Sequence, residues 1–320
     1  TEGAHPLVAA MNALGYDAAT LGNHEFDFGL DRLEGWLSTA AFPVVCANVA
    51  TRPGPEPLAD ELFRPAWTVL RRTLTDAAGG RHDIAIGIIG VAPPQIRAWS
   101  GPVLGDRIAV RDMVEAAAAH VPALRAAGAD IVVALCHTGI GPAAPAPGAE
   151  NAGQALARIP GIDAIVLGHV HRLFPSGAAP SGAVDGTAGR LHERPAVMAG
   201  SHASHLGRID LRLIPGPRGW RVDAAEAMVL PVPAIARDPG IEAIAGPWIA
   251  RLEGRMAEPL GRTVRALHSY FALLGPDPTL TLLADAMRAE ARALHPEAAD
   301  RPVIAAVSPF RAGGFGGPAN

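Results

Sequence analysis

Three short segments collect side chains able to bind metal ions: LGNHEFDFG (Leu21–Gly29), LCHTG (Leu135–Gly139) and LGHVH (Leu167–His171). Their donors are one amide oxygen and several imidazoles. Such donors suit borderline divalent ions such as Zn²⁺, Mn²⁺ or Co²⁺. Each segment has the same layout: a strand-like run ends, a glycine or turn follows, and the polar side chains come next. In α/β sheets ligands bind beyond the carboxyl ends of the strands. Three such ends offering Asn and His donors imply one shared site.

The elements that must position these residues alternate in type. Helices are expected over 5–14, 30–39 and 111–127, with a short one over 155–159. Strands are expected over 17–22, 43–49, 82–91, 129–136 and 163–167, with 82–91 and 129–136 as buried apolar runs. That alternation predicts an α/β layered domain. Beyond about residue 196 the pattern changes. Residues 208–214 alternate with period two, and 220–230 read as their hairpin partner across Pro215–Gly219. A helix is expected over 235–257 and a connector over 262–278. A second helix over 279–294, with Asp277 as its N-cap and Pro278 in its first turn, precedes a strand over 302–307.

Composition narrows the possible functions. The 320 residues suggest about two domains. The formal net charge is −4, which argues against coating a nucleic-acid polymer. A small phosphate substrate remains compatible, because a metal supplies positive charge locally. All 27 Lys+Arg residues are arginine, a compositional bias without functional meaning. Cys46 and Cys136 form no disulfide framework and read as small buried hydrophobes. No apolar run is long enough to span a bilayer, and no signal peptide is visible.

The pairing of GNHEFDFG with a GHxH motif resembles the calcineurin-like metallophosphoesterases, in particular their nucleotidase branch. Within it, IGIIGVAPPQIRAW (Ile86–Trp99), LGHVHRLFP (Leu167–Pro175) and HSYFALLGPDPTL (His268–Leu280) resemble the bifunctional 2′,3′-cyclic-nucleotide 2′-phosphodiesterase/3′-nucleotidases. The likeness runs over nearly the whole chain. It implies a four-layer α/β/β/α sandwich followed by the start of an α+β 5′-nucleotidase C-terminal domain. The catalytic domain would occupy 1–270, and the connector and nucleotide-binding domain 271–320. Carried over by motif, Asn23, His137 and His169 would bind one metal and His171 the other. His24 would be the catalytic histidine with Asp27 as its carboxylate partner, and Glu25 would bind no metal. Two divalent ions (Zn, Mn or Co) are implied for the full-length protein. Such a pair clamps the attacking and leaving oxygens of an in-line displacement. Arg311, in the SPFRAGG stretch, is a candidate substrate contact.

The resemblance also implies what lies outside these residues. The family pattern opens with Asp-x-His and Gly-Asp motifs, and neither precedes GNHE here. The chain is therefore expected to be cut at both ends, to bind one metal weakly and the second hardly at all. The expected substrate is a small nucleotide, with no nucleic-acid polymer and no membrane span, in the periplasm or cell envelope. A 5′-nucleotidase or UDP-sugar hydrolase of the same fold is the nearest alternative, and a catalytically incomplete metal- or nucleotide-binding fragment is another. His82, His120, His202 and His205 are expected to be structural, and Trp67 and Trp99 to serve core or interdomain packing.

Overall fold

In a computed structural model of the chain, the structure describes residues 5–217, 219–233, 237–264, 266–298 and 300–308. The chain divides after Ala250 into two compact units, each considered by itself.

The first unit begins with helix α1 (Pro6–Ala13). His5 caps it, its Nδ1 accepting from the Leu7 amide at 3.3 Å. Strand β1 (Ala19–Thr20) pairs in parallel with β2 (Val44–Val45), on either side of α2 (Leu30–Leu37). β3 (Val49–Arg52) pairs with β4 (Glu61–Leu62) and with β7 (Ala109–Val110). Between these lies a long hairpin, β5 (Trp67–Thr75) with β6 (Arg81–Val91). The short helices α3 (Ile96–Trp99) and α4 (Gly101–Leu104) follow it. Helix α5 (Met113–Ala126) starts where Asp112 accepts from the Val114 and Glu115 amides. β8 (Ile131–Cys136), α6 (Gly153–Ala157) and β9 (Ala164–Leu167) come next. The remaining strands are β10 (Leu173–Phe174), β11 (Val184–Asp185), β12 (Arg190–Leu191), β13 (Arg194–Ala199), β14 (His205–Gly216) and β15 (Gly219–Pro231).

The main sheet has the order β11-β12-β13-β9-β8-β6-β5, with β10 beside β13. Its centre is parallel, from β13 through β9 and β8 to β6, while its margins are antiparallel. Central parallel strands bury both faces, which is why 84–91 and 131–136 read as near-continuous apolar runs. The α5 face carrying Met113, Val121 and Leu124 packs with Ile89, Val132 and Ile165 of this sheet. A second core joins Leu21, Phe26, Leu30 and Leu33 to Ile96 and Leu104. Both cysteines are fully buried, and burial pushes both thiols up to about 12, so they act as hydrophobes. The β14–β15 hairpin is pinned to the sheet by Trp220. Its indole donates to the Asp83 carbonyl and its amide to Asp130 Oδ1, each at 3.1 Å.

Several expectations need correction. Residues 67–75 form a nine-residue strand that the sequence reading did not anticipate. It lies at the edge of the sheet with its second half exposed, so WTVLRRTLT carries no apolar run. The expected strand over 43–49 splits into two, because Asn48 turns its side chain into the protein rather than continuing a ladder. Trp99 is 45% exposed and packs no core, whereas Trp67 packs at the core margin as expected.

In the second unit the C-terminal part of α7 (Pro239–Met256) is followed by α8 (Pro278–Leu294). Asp277 caps α8 by accepting from Thr279 and Leu280 at 2.9 and 3.1 Å, with Pro278 at the first helical position. Residues 302–307 form no strand, because no neighbouring strand among the described residues offers the hydrogen bonds a ladder needs. Among the described residues no helix is long and apolar enough to cross a membrane.

Candidate active site

The three motif segments leave β1, β8 and β9 at the same end and converge. β1 and β2 cross β6 closely at Gly90, where a Cβ would stand 2.3 Å from Thr20 Oγ1 and 2.2 Å from the Val45 carbonyl oxygen. That close crossing brings the Leu21–Gly29 loop over the end of β8. There Asn23 Oδ1 and His137 Nε2 come within 2.9 Å of each other. Gly22 makes room for this contact, since a Cβ at that position would meet His137 Cε1 at 2.6 Å. The His137 and His169 rings lie 5.2 Å apart.

Burial decides the protonation of this centre. Desolvation, reinforced by the neighbouring charges of His169, His24 and His171, pushes the His137 imidazole down to about 4. The ring is neutral near pH 7 and keeps a lone pair for a cation. Asn23 is itself buried. His169 and His171 adopt φ of 71° and 56°, in the left-handed region that non-glycine residues rarely occupy. Such strain costs on the order of 1–3 kcal/mol per residue and clusters at functional sites.

His24 has a different setting. Its Nδ1 stands 2.8 Å from Asp27 Oδ2, and the ring is mostly exposed. The other carboxylate oxygen of Asp27 accepts from Ser100 Oγ at 3.3 Å, and Ser100 is buried. Glu25 turns away, its Oε2 accepting from the Gly22 amide at 2.7 Å, which braces the loop.

Asn23 and His169 thus both meet His137, and His24 and His171 are near enough to act on His137 electrostatically. Arg311 lies outside the described residues. His171 has the His202 ring 6.4 Å away, while His205 Nδ1 meets the hydroxyl of Ser204 beside it. His82 pairs with Asp76 at 2.8 Å, and His120 is buried on α5. Two neighbours of the site escaped the sequence reading. Glu150 Oε1 is 2.7 Å from His169 Nε2, and the Trp99 indole stacks on the His169 ring.

The donor types fit a divalent cation on one side. Two atoms bonded to one ion at about 2.0–2.2 Å and at right angles to each other are about 3 Å apart, close to the Asn23–His137 separation. Among the described residues no group of three or more His, Cys, Asp or Glu side chains is placed to hold a metal by itself. The arrangement offers a cation one amide oxygen and imidazole nitrogens on one side.

No protein-family model matches the chain. It is 37% identical over 334 residues to the trifunctional nucleotide phosphoesterase protein YfkN of Bacillus subtilis strain 168, an alignment covering 98% of this chain and 21% of that protein. It is 36% identical over 321 residues to a 2′,3′-cyclic-nucleotide 2′-phosphodiesterase/3′-nucleotidase of Haemophilus influenzae, covering 97% and 48%. The chain thus spans about half the length, or less, of these curated relatives. The crystal structure of the calcineurin-like phosphoesterase YfkN from Bacillus subtilis matches the fold with a TM-score of 0.75 at 36% identity. That match covers 80% of this chain and 76% of the other. Fold and sequence together place the chain in the calcineurin-like phosphoesterases, a membership that implies divalent metal ions at the site.

Proposed function

We propose that the protein hydrolyses nucleoside 2′,3′-cyclic phosphates to 3′-nucleotides, and 3′-nucleotides to nucleoside and phosphate. The observation that carries this reading is the meeting of the Asn23, His137 and His169 side chains with the His24–Asp27 pair at one end of the sheet. The names of relatives 35–37% identical over about 97% of the chain support this substrate class.

Asn23, His137 and His169 would hold one divalent ion and His171 would contribute to a second. Two such ions, when bound, polarise the phosphoryl group and supply a nucleophile at neutral pH. This chain's own residues do the rest. Asp27 holds the His24 imidazole by Nδ1 and fixes its orientation. His24 then donates a proton to the departing oxygen. In the first step water oxygen bonds to phosphorus and gives one proton up to solvent, the P–O2′ bond breaks, and O2′ takes the proton from His24. In the second the P–O3′ bond breaks in the same way, releasing nucleoside. Exposure of His24 allows it to reload from solvent between the steps.

The catalytic domain is assigned to 1–270 and the beginning of a nucleotide-binding domain to 271–320, with Arg311 as a substrate contact. The resemblance favours a periplasmic or cell-envelope setting. Phosphate release by the full-length protein with Mn²⁺ or Co²⁺ tests the reading, using 2′,3′-cyclic AMP, 3′-AMP and 5′-AMP. Turnover of the first two, abolished in His24→Ala and His169→Ala, is expected. Turnover of 5′-AMP alone would overturn the substrate assignment, and no turnover by a metal-loaded protein would overturn the enzymatic reading.

A further inference from the structure

His169 is held from two sides by residues that belong to none of the three motifs. Its Nε2 stands 2.7 Å from Glu150 Oε1. An ionised carboxylate only accepts hydrogen bonds, so Nε2 carries the proton and donates it. In the neutral ring the lone pair is then on Nδ1. The Trp99 indole lies against the face of the same ring, with centroids 5.5 Å apart and planes 27° from parallel. A hydrogen bond at one edge and a stacked ring on one face together define the orientation of an imidazole.

Both holding residues are themselves anchored. The buried Thr138 hydroxyl donates to the Glu150 carbonyl at 2.8 Å and accepts from the Ala152 amide at 3.0 Å. Asn151 Oδ1 accepts from the Gly139 amide at 2.9 Å. Glu150 therefore rides on the same strand-end loop that presents His137. Trp99 ends α3, and Gln95 at the start of that helix donates to the Gly148 carbonyl at 2.8 Å. The two supports of His169 are thus tied to one another across 148–152. The left-handed backbone at His169 costs energy by itself, which gives side-chain anchoring a purpose there.

We propose that Glu150 and Trp99 are positioning residues that present His169 to a divalent ion as an Nδ1 donor. Partners behind a ligating histidine fix its tautomer and raise its basicity, and losing one typically costs 10–100-fold in metal affinity or activity. The inference rests on the metal-site reading proposed above.

The test uses full-length protein with ¹⁵N-labelled histidine and Co²⁺ as the probe. In the metal-free protein, long-range ¹H–¹⁵N correlations are expected to show His169 as the Nε2–H tautomer. Glu150→Ala is expected to mix the tautomers and to weaken Co²⁺ binding by about 10–100-fold. Glu150→Gln, whose amide oxygen still accepts, is expected to keep most of the affinity. Trp99→Ala is expected to weaken binding, and Trp99→Phe, which retains a stacking ring, to restore it. Thermal melting of the metal-free variants checks that the fold is intact. An Nδ1–H tautomer in the wild-type protein overturns the proposal without recourse to any variant. So does unchanged Co²⁺ affinity in both Glu150→Ala and Trp99→Ala while His169→Ala loses the ion. Equal binding by wild type and His169→Ala would instead remove His169 from the site and overturn the metal reading itself.

Discussion

The histidines of this chain are told apart by what surrounds each ring. His137 is half-buried, crowded by three other histidines and pushed down to about 4, hence neutral near pH 7, the state a metal donor needs. His24 is exposed and paired with a carboxylate, the state a proton donor needs. Replacing Asp27 by Asn keeps the shape but removes the carboxylate that holds the His24 ring by Nδ1. Its kcat is expected to fall on the order of 10²-fold, with metal content unchanged. Loss of metal from Asp27→Asn would place Asp27 in the coordination shell instead. His120 gives a prediction about stability. Burial lowers its pKa against the opposing charge of Asp60 and a hydrogen bond to the Pro57 carbonyl, and its Nε2 has no partner among the described residues. The folded state thus holds this proton less tightly than the unfolded state, whose ring titrates near 6.5. Stability from this group is intact above that value and declines as pH falls below it, by at most about 1.4 kcal/mol per pH unit. Urea titrations at pH 7 and pH 5.5 should show a smaller difference in His120→Leu than in wild type. Equal differences would sink the assignment.

At the scale of elements, the site depends on how closely loops approach strand ends. Gly22 is where that approach meets a site ring, because a Cβ there would stand 2.6 Å from His137 Cε1. Gly22→Ala is expected to displace that ring and lower Co²⁺ affinity at least as much as loss of an outer partner, about 10–100-fold. Full-strength binding by Gly22→Ala, measured by calorimetry, would show that the loop yields more easily than the structure implies. The same scale explains what the sequence disclosed. The strands 81–91, 131–136 and 164–167 were legible because central parallel strands must be apolar on both faces. The cap of α8 was legible because Asp277 and Pro278 make purely local contacts. Asn23, His24, His137, His169 and His171 stand in short motifs whose side chains leave successive strand ends, so their convergence could be anticipated. Strand 67–75 could not, since an exposed edge strand needs no apolar run. Glu150 and Trp99 could not either. Their relation to His169 spans 19 and 70 positions, and only the folded loops bring them to one ring.

Across the first unit, two hydrophobic cores must move as one for the three motif loops to stay in register. One core lies between α5 and the main sheet, and the other surrounds Phe26 and Ile96. Asn48 sits between them with no exposed surface. Its Nδ2 donates to the Ala92 carbonyl at 2.7 Å and the Arg111 carbonyl at 2.9 Å, while its Oδ1 accepts from the Ala92 amide at 2.9 Å. One amide thus satisfies the chain leaving β6 and the chain entering α5. Removing it strands buried backbone groups, each costing about 1–3 kcal/mol when unsatisfied. Asn48→Ala is expected to lose about 2–4 kcal/mol in urea unfolding. Asn48→Asp retains the acceptor but neither donor, so it should also be destabilised. If this residue couples the cores, the alanine variant should in addition unfold with a smaller dependence on urea than wild type. A lower slope reports a less cooperative loss of buried surface. A lower midpoint with an unchanged slope would mean that Asn48 supports local backbone only and that the cores are joined elsewhere. Because Ala92 leads into the segment carrying Trp99 and Ser100, the same variant should loosen both the His169 stack and the Asp27 contact. Metal affinity and kcat would then fall together, whereas Asp27→Asn lowers kcat alone.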